Sequence, residues 1–112
     1  MDKQHKIAAV HKYMEAFSNA DMGLIREIYA DDAVVEDPVG SEPYVGIDAI
    51  VGFYEGAFAT GAKIALVGDV RCAGNAAAFA FDVIMEGVDI SPIDVFEFNE
   101  AGKVVQMRAY WG

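Results

Sequence analysis

Apolar residues at Ile7, Val10, Met14 and Phe17 recur at helical spacing, which predicts an amphipathic helix from about residue 3 to 19 with those four turned inward and Tyr13 bordering the stripe. Asn19-Ala-Asp21 breaks the pattern. Asp21 suits the N-cap of a second helix that carries Leu24, Ile25, Ile28 and Tyr29 on one side and stops near Asp31-Asp32. A short strand is expected from about 33 to 37, then a turn region from Pro38 to Pro43, where Gly40 and two prolines forbid a regular element. A third helix is expected over about 47–58, with Ile47, Ile50, Val51 and Tyr54 inward, Gly52 a weak spot and Gly56 where it begins to fray. From Gly61 onward the period changes to that of strands. They are expected near 62–72, 75–85, 88–99 and 103–111, joined at Gly74-Asn75, Glu86-Gly87 and Asn99-Glu-Ala-Gly102, the last a hairpin with Gly102 in the left-handed conformation. Helices first and antiparallel strands afterwards is the order of an α+β domain, with the helices on one face of a curved sheet.

At 112 residues the chain fits a single domain, 1–112, with one site. Hydrophobic residues make up 54% of it, a high share that suits either an apolar cavity or a face covered by a partner chain. The formal charge of -10 argues against nucleic acid and anionic membrane and leaves an uncharged, apolar small molecule as the better partner. Met1-Asp-Lys-Gln-His-Lys6 has no apolar core of signal-peptide length, and no stretch approaches the roughly 20 apolar residues of a membrane span, so a cytoplasmic protein is expected. Cys72 is the only cysteine, which excludes an intrachain disulfide and a thiolate cluster. His5 and His11 have no further ligand at metal spacing, so no metal is expected.

Two carboxyls stand out against that background. Asp37 ends the apolar run Ala33-Val-Val-Glu-Asp37 just before Pro38. Asp94 lies in Ser91-Pro-Ile-Asp94-Val-Phe-Glu-Phe98, where strand alternation puts it on one face with Pro92, Phe96 and Phe98. Aspartate is a poor strand former and costly to bury unpaired, and burial without a cation raises its pKa, which makes both positions candidates for acid/base chemistry. Phe81, Val83, Phe96, Met107, Ala109 and Trp111 are expected to project into a cone-shaped interior, with Val39 and Phe53 from the helical side. Asp37, Asp94, Tyr13, Tyr29 and Tyr54 are the polar groups available to fix a ligand there, and no cation faces them.

Tyr13 within His-Lys-Tyr13-Met-Glu-Ala-Phe, Tyr29-Ala-Asp-Asp-Ala33, Val35-Glu-Asp37-Pro-Val-Gly-Ser-Glu-Pro43, Phe53-Tyr54, Ala78-Phe-Ala-Phe81, Pro92-Ile-Asp94-Val-Phe and Gly102-Lys-Val-Val-Gln-Met-Arg-Ala-Tyr-Trp111 occur in an order and spacing that resembles the bacterial Δ5-3-ketosteroid isomerases. The resemblance implies a cone-shaped NTF2-like fold, three N-terminal helices on a curved, mainly antiparallel sheet. It also implies a homodimer packed through the sheet, no cofactor, and isomerisation of a 3-oxo-Δ5-steroid to its Δ4 isomer. Asp37 then matches the general base, Tyr13 and Asp94 the two donors to the substrate's 3-oxygen, and Tyr29 and Tyr54 the tyrosines that support the oxyanion donor. That Asp94 is protonated is taken over from the same family, which is the known case of a carboxylic acid kept neutral by an apolar site. The connection Met85-Glu-Gly-Val-Asp-Ile90 is shorter than the hairpin expected in that family, which bears on the pocket rim.

Relatives of this fold include dehydratases, cyclases, epoxide hydrolases and non-enzymatic binding proteins, so the site has to separate them. A dehydratase or epoxide hydrolase should need a histidine or an Asp-Arg-Asp cluster in the cavity, whereas Arg71 and Arg108 read as outward-facing. A protein that merely holds an apolar ligand gives no reason for Asp37, Tyr13 and Asp94 to occur together.

Overall fold

Asp2 opens the first helix by accepting the His5 amide at 2.8 Å, which satisfies one of the donors a helix N-terminus leaves without a partner. In the computed structural model, which describes residues 2–112, this helix is α1 (Lys3–Asn19). Its buried face is Lys6, Val10, Tyr13, Ala16 and Phe17. Ile7 and Met14 are only half-buried, so the inward stripe is turned from the expected one and Tyr13 sits at its centre. The Lys6 ammonium at one end of the stripe donates to the Gly74 carbonyl at 2.7 Å, which lets a lysine occupy a core-facing position.

Asp21 caps α2 (Met22–Ile28) by accepting the Leu24 amide. That helix ends three residues before Asp31, and the chain turns directly into β1 (Tyr29–Glu36). The strand starts earlier than the local pattern indicates because Tyr29 pairs with Val104 across the sheet, a long-range contact that helical periodicity cannot register. Two residues, Tyr44–Val45, form β2 against β1. Helix α3 (Ile47–Ala59) follows, burying Ile50, Val51 and Tyr54.

The strands β3 (Lys63–Ala73), β4 (Ala76–Ile84), β5 (Ile93–Phe98) and β6 (Val104–Tyr110) complete a six-stranded sheet of order β2-β1-β6-β5-β4-β3. All pairings are antiparallel except β1 with β6. β5 begins at Ile93 and not near 88, because Met85 and Val88 close a tight turn and the chain from there to Pro92 runs beside β4 with only isolated bonds, Ile90 accepting from Val83 and Pro92 from Phe81. Gly102 turns the β5–β6 hairpin at φ +85, where a Cβ would come within 2.7 Å of His5 Nε2. The three helices cover one face of the curved sheet, an α+β cone whose apolar centre includes Val10, Tyr13, Ile25, Ile50, Phe79 and Phe96. Among the described residues no helix is long and apolar enough to cross a membrane.

Candidate active site

Strand alternation puts Asp94 inward with Phe96 and Phe98 while Ile93, Val95 and Glu97 face outward. Its neighbours across the sheet are Phe79 and Ala109, both almost wholly buried. Asp94 is 1% exposed, and neither carboxyl oxygen has a hydrogen-bond partner among the described residues. Removal from water pushes its pKa well above the usual carboxylate range, and the charge of nearby Asp37 pushes it further; the adjacent Tyr13 hydroxyl opposes the rise without being placed for a hydrogen bond. Such a shift favours the protonated form of the carboxyl, the form that can donate a hydrogen bond.

Asp37 follows the last residue of β1 and is half-buried. Burial raises its pKa, and the Trp111 indole N–H, donating to Oδ1 at 2.8 Å, offsets only part of that rise. The two carboxyls line one cavity of about 240 Å³ together with Tyr13, Phe53, Phe81 and Trp111. Neither is paired with an arginine: Arg108 lies on the outer face of the sheet, 2.6 Å from Glu97 and 3.7 Å from Glu36, and Arg71 is exposed.

Behind the cavity three buried tyrosines form a chain. Tyr29 and Tyr54 hydroxyls are 2.6 Å apart and Tyr54 and Tyr13 hydroxyls 3.0 Å apart, so Tyr54 is the link and Tyr29 the far end. Burial raises all three pKa values well above that of a free tyrosine, which keeps them protonated as donors at neutral pH. Edge-on contacts of the Tyr13 ring with Phe17, Tyr54, Phe79 and Phe96 fix its direction.

Of the wall expected from sequence, Phe53, Phe81, Val83 and Trp111 reach the cavity. Phe96, Met107 and Ala109 do not, because they point into the sealed layer between sheet and helices, where they are 0%, 0% and 1% exposed. Val39 is also misplaced by that expectation: its amide is tied to the Ala109 carbonyl, and its side chain is left on the surface. The wall gains Phe17 and Ala57 from the helices, Thr60, Ala62 and Ile64 from the α3–β3 junction, and Ile90 and Pro92. Pro92 is legible in the sequence, since it shares the face of Asp94. Thr60 and Ala62 are not, because a loop has no period to reveal its inner side. The indole donor to Asp37 is equally hidden, lying 74 residues from its acceptor.

A steroid Delta-isomerase from Nocardioides simplex is 40% identical over 109 residues, spanning 93% of this chain and 87% of that protein. Among solved structures, the epoxide hydrolase/cyclase-like enzyme SalBIII, described for its role in pyran ring formation in the polyether salinomycin, matches with a TM-score of 0.90 at 26% identity, over 99% of this chain and 93% of that one. Residues 10–107, which include Tyr13, Asp37 and Asp94, match the SnoaL-like domain, and with that span and the 40% relative the chain belongs to the SnoaL-like family.

Proposed function

We propose that this protein is a steroid Δ-isomerase, one site in a single domain, which moves the double bond of a 3-oxo-Δ5-steroid into conjugation. The observation that carries the reading is the unequal pair of carboxyls in one apolar cavity: Asp94 sealed and unpartnered, Asp37 half-buried and held by an indole. Asp37, ionised, removes a proton from C4 and returns it at C6. Tyr13 and protonated Asp94 hold the dienolate oxygen that forms between the two transfers. Negative charge on that oxygen is larger in the transition state than in the ketone, so pre-aimed donors in a dry site lower the barrier, each by about 3–4 kcal/mol on the scale of other oxyanion sites. An ionised Asp94 would repel the same oxygen. Tyr54 and Tyr29 orient the Tyr13 hydroxyl from behind. The reaction uses no cofactor, since one carboxylate serves as base and, once protonated, as acid.

The kinship with the Nocardioides isomerase supports this reading. The likeness to SalBIII favours a second one, acid/base ring formation on the same cone. The cavity wall has neither histidine nor arginine among the described residues, which weighs against a dehydratase or an epoxide hydrolase. A protein that merely held an apolar ligand would have no use for a sealed, unpartnered carboxyl beside it, since burying one is costly. We also propose a homodimer formed through the sheet. Val67, Ala80, Ile93 and Tyr110 are in register across β3, β4, β5 and β6, and three of them are 47–50% exposed, an apolar row on the face the helices leave open.

The test is ultraviolet absorbance of the conjugated enone on adding 5-androstene-3,17-dione. Turnover is expected, and Asp37→Asn should lower kcat by about 10²–10⁴-fold while keeping the affinity for a phenolic steroid such as equilenin. Absence of turnover by folded protein, or loss of equilenin binding with turnover intact, would contradict the assignment.

A further inference from the structure

The cavity wall next to Asp94 is carried by a piece of chain that the sheet holds weakly. Regular pairing of β4 with β5 ends at Ala80 and Ile93. Continued from there, the same antiparallel register sets Phe81 opposite Pro92, Asp82 opposite Ser91 and Val83 opposite Ile90. The amides of Phe81 and Val83 accordingly donate to the carbonyls of Pro92 and Ile90, at 3.1 and 3.2 Å. A pair of this kind in a regular ladder exchanges two bonds. Here each pair makes one: a proline has no N–H to return, and Ile90 returns none among the described residues. Yet Ile90 and Pro92 both line the cavity, and Pro92 is the inward-facing residue that immediately precedes Asp94 on the same face.

Ser91 lies between those two wall residues and points the other way. Side chains of an opposed pair come closest where the backbone bonds are absent, and across that gap the Ser91 hydroxyl donates to Asp82 Oδ1 at 2.7 Å. Aspartate is a poor strand residue, and its opposite number on β3 is Ala65, which offers it nothing. Among the described residues Asp82 is in no ion pair, and Ser91 is its one side-chain partner. A hydrogen bond to an ionised acceptor is stronger than one between neutral groups. The pair therefore makes good, from the outer face, the bond that Pro92 takes out of the ladder.

We propose that Ser91 and Asp82 are positioning residues, which clamp the Ile90–Pro92 wall onto β4 and so keep water from the donor end of the cavity. The clamp acts on the chemistry through Asp94, three residues along the chain from Ser91. The titratable groups around Asp94 are Tyr13 of α1, Asp37 after β1 and, behind Tyr13, Tyr54 and Tyr29. None of them is a cation, and neither Asp94 oxygen has a partner, so the protonated carboxyl depends on a dry site. Water admitted past Pro92 favours the ionised form, which repels an enolate oxygen. The catalytic consequence rests on the isomerase reading proposed above, whereas the clamp itself does not.

The experiment follows the wall by NMR and the reaction by the enone assay, in Ser91→Ala, Asp82→Ala, the double variant, Ser91→Thr and Asp82→Asn. Ser91→Ala should speed hydrogen exchange of the Phe81 and Val83 amides by about tenfold, the size of one lost hydrogen bond, and leave the Phe79 amide in the regular ladder unchanged. The Asp94 carboxyl carbon should titrate about one pH unit lower, as for a loss of similar size, and kcat/KM for 5-androstene-3,17-dione should begin its alkaline fall correspondingly earlier. Asp82→Ala should match Ser91→Ala, and the double variant should be no worse than either, since both remove one bond. Ser91→Thr keeps the hydroxyl and Asp82→Asn keeps an acceptor oxygen without the charge, so both should stay close to the wild type. Unchanged exchange at Phe81 and Val83 in Ser91→Ala overturns the clamp, and so do equal acceleration at every amide or additive effects in the double variant. Faster exchange with Asp94 titrating as in the wild type separates the wall from the donor and overturns the proposal too. An effect of Asp82→Asn as large as that of Asp82→Ala assigns the shift to the lost charge and overturns it likewise. A wild type that shows the expected exchange and titration but leaves the ketone unconverted overturns the isomerase reading alone.

Discussion

Asp94 and Asp37 are the same side chain in two dielectric settings, and in the proposed reaction the difference in water between them separates the hydrogen-bond donor from the base. Because Asp94 titrates higher in the folded protein than in the unfolded chain, its contribution to stability is fully present below the unfolded carboxylate pKa of about 3.9 and is lost as pH rises through the folded value. Asp94→Asn cannot ionise, so its denaturant midpoint should match the wild type near pH 4 and exceed it at pH 7–8. Equal midpoints across that range would contradict a sealed, titrating carboxyl. For Asp37 the same direction bears on the proposed reaction: as the proposed base it would work only when ionised, so kcat/KM should rise with pH along a limb displaced upward from that of an ordinary carboxylate. Trp111→Phe removes the donor that favours the ionised form, and the limb should move to higher pH with the plateau reduced; a limb that stays in place would show the indole to be mere wall. The tyrosine, the two aspartates and the tryptophan can all be named from sequence as site residues, because an aspartate among apolar neighbours is conspicuous. The indole–carboxylate bond cannot, since it depends on where β1 and β6 end relative to each other.

At the level of elements, Tyr54 is the only group that ties α1, β1 and α3 together through hydrogen bonds at their buried surfaces among the described residues. Tyr54→Phe leaves both Tyr13 and Tyr29 hydroxyls short of a buried partner, at about 1–3 kcal/mol for each group stranded, whereas after Tyr29→Phe the Tyr54 hydroxyl still bonds that of Tyr13. Chemical denaturation should therefore rank Tyr54→Phe as the more destabilised of the two. It should also lower kcat more, because the freed Tyr13 hydroxyl loses its aim, and the reverse order in both readouts would break the proposed chain. Helix positions follow from periodicity and from the cap at Asp21, while the starts of β1 at Tyr29 and β5 at Ile93 do not, being set by pairing across the sheet. Periodicity alone rotates the helical stripe slightly, with Met14 and Ile7 in place of Tyr13 and Lys6, because a tyrosine and a lysine satisfied by tertiary partners look polar to any local pattern.

For the molecule as a whole, the sheet has helices on one face and an apolar row on the other, and the chain carries a formal charge of -10. The proposed dimer would cover that row with a second copy, and Arg108, ion-paired to Glu36 and Glu97, lies on the same outer face. Ile93→Glu puts a charge in the middle of the row, and sedimentation should show a shift from dimer to monomer, the enone assay losing activity with it if the sheet needs the partner to hold its curvature. A wild type that sediments as a monomer would remove the dimer from the reading. The order of the helices and longer strands, the cap at Asp21 and the inward face of Asp94 follow from residue type and spacing alone, because each is a local property of the chain. Which residues bound the cavity, that Tyr54 and not Tyr29 touches Tyr13, and that Phe96, Met107 and Ala109 are sealed behind the site are settled by the parallel pairing of β1 with β6 and the seating of three helices on the sheet. Contacts between residues tens of positions apart leave no period in the sequence to read.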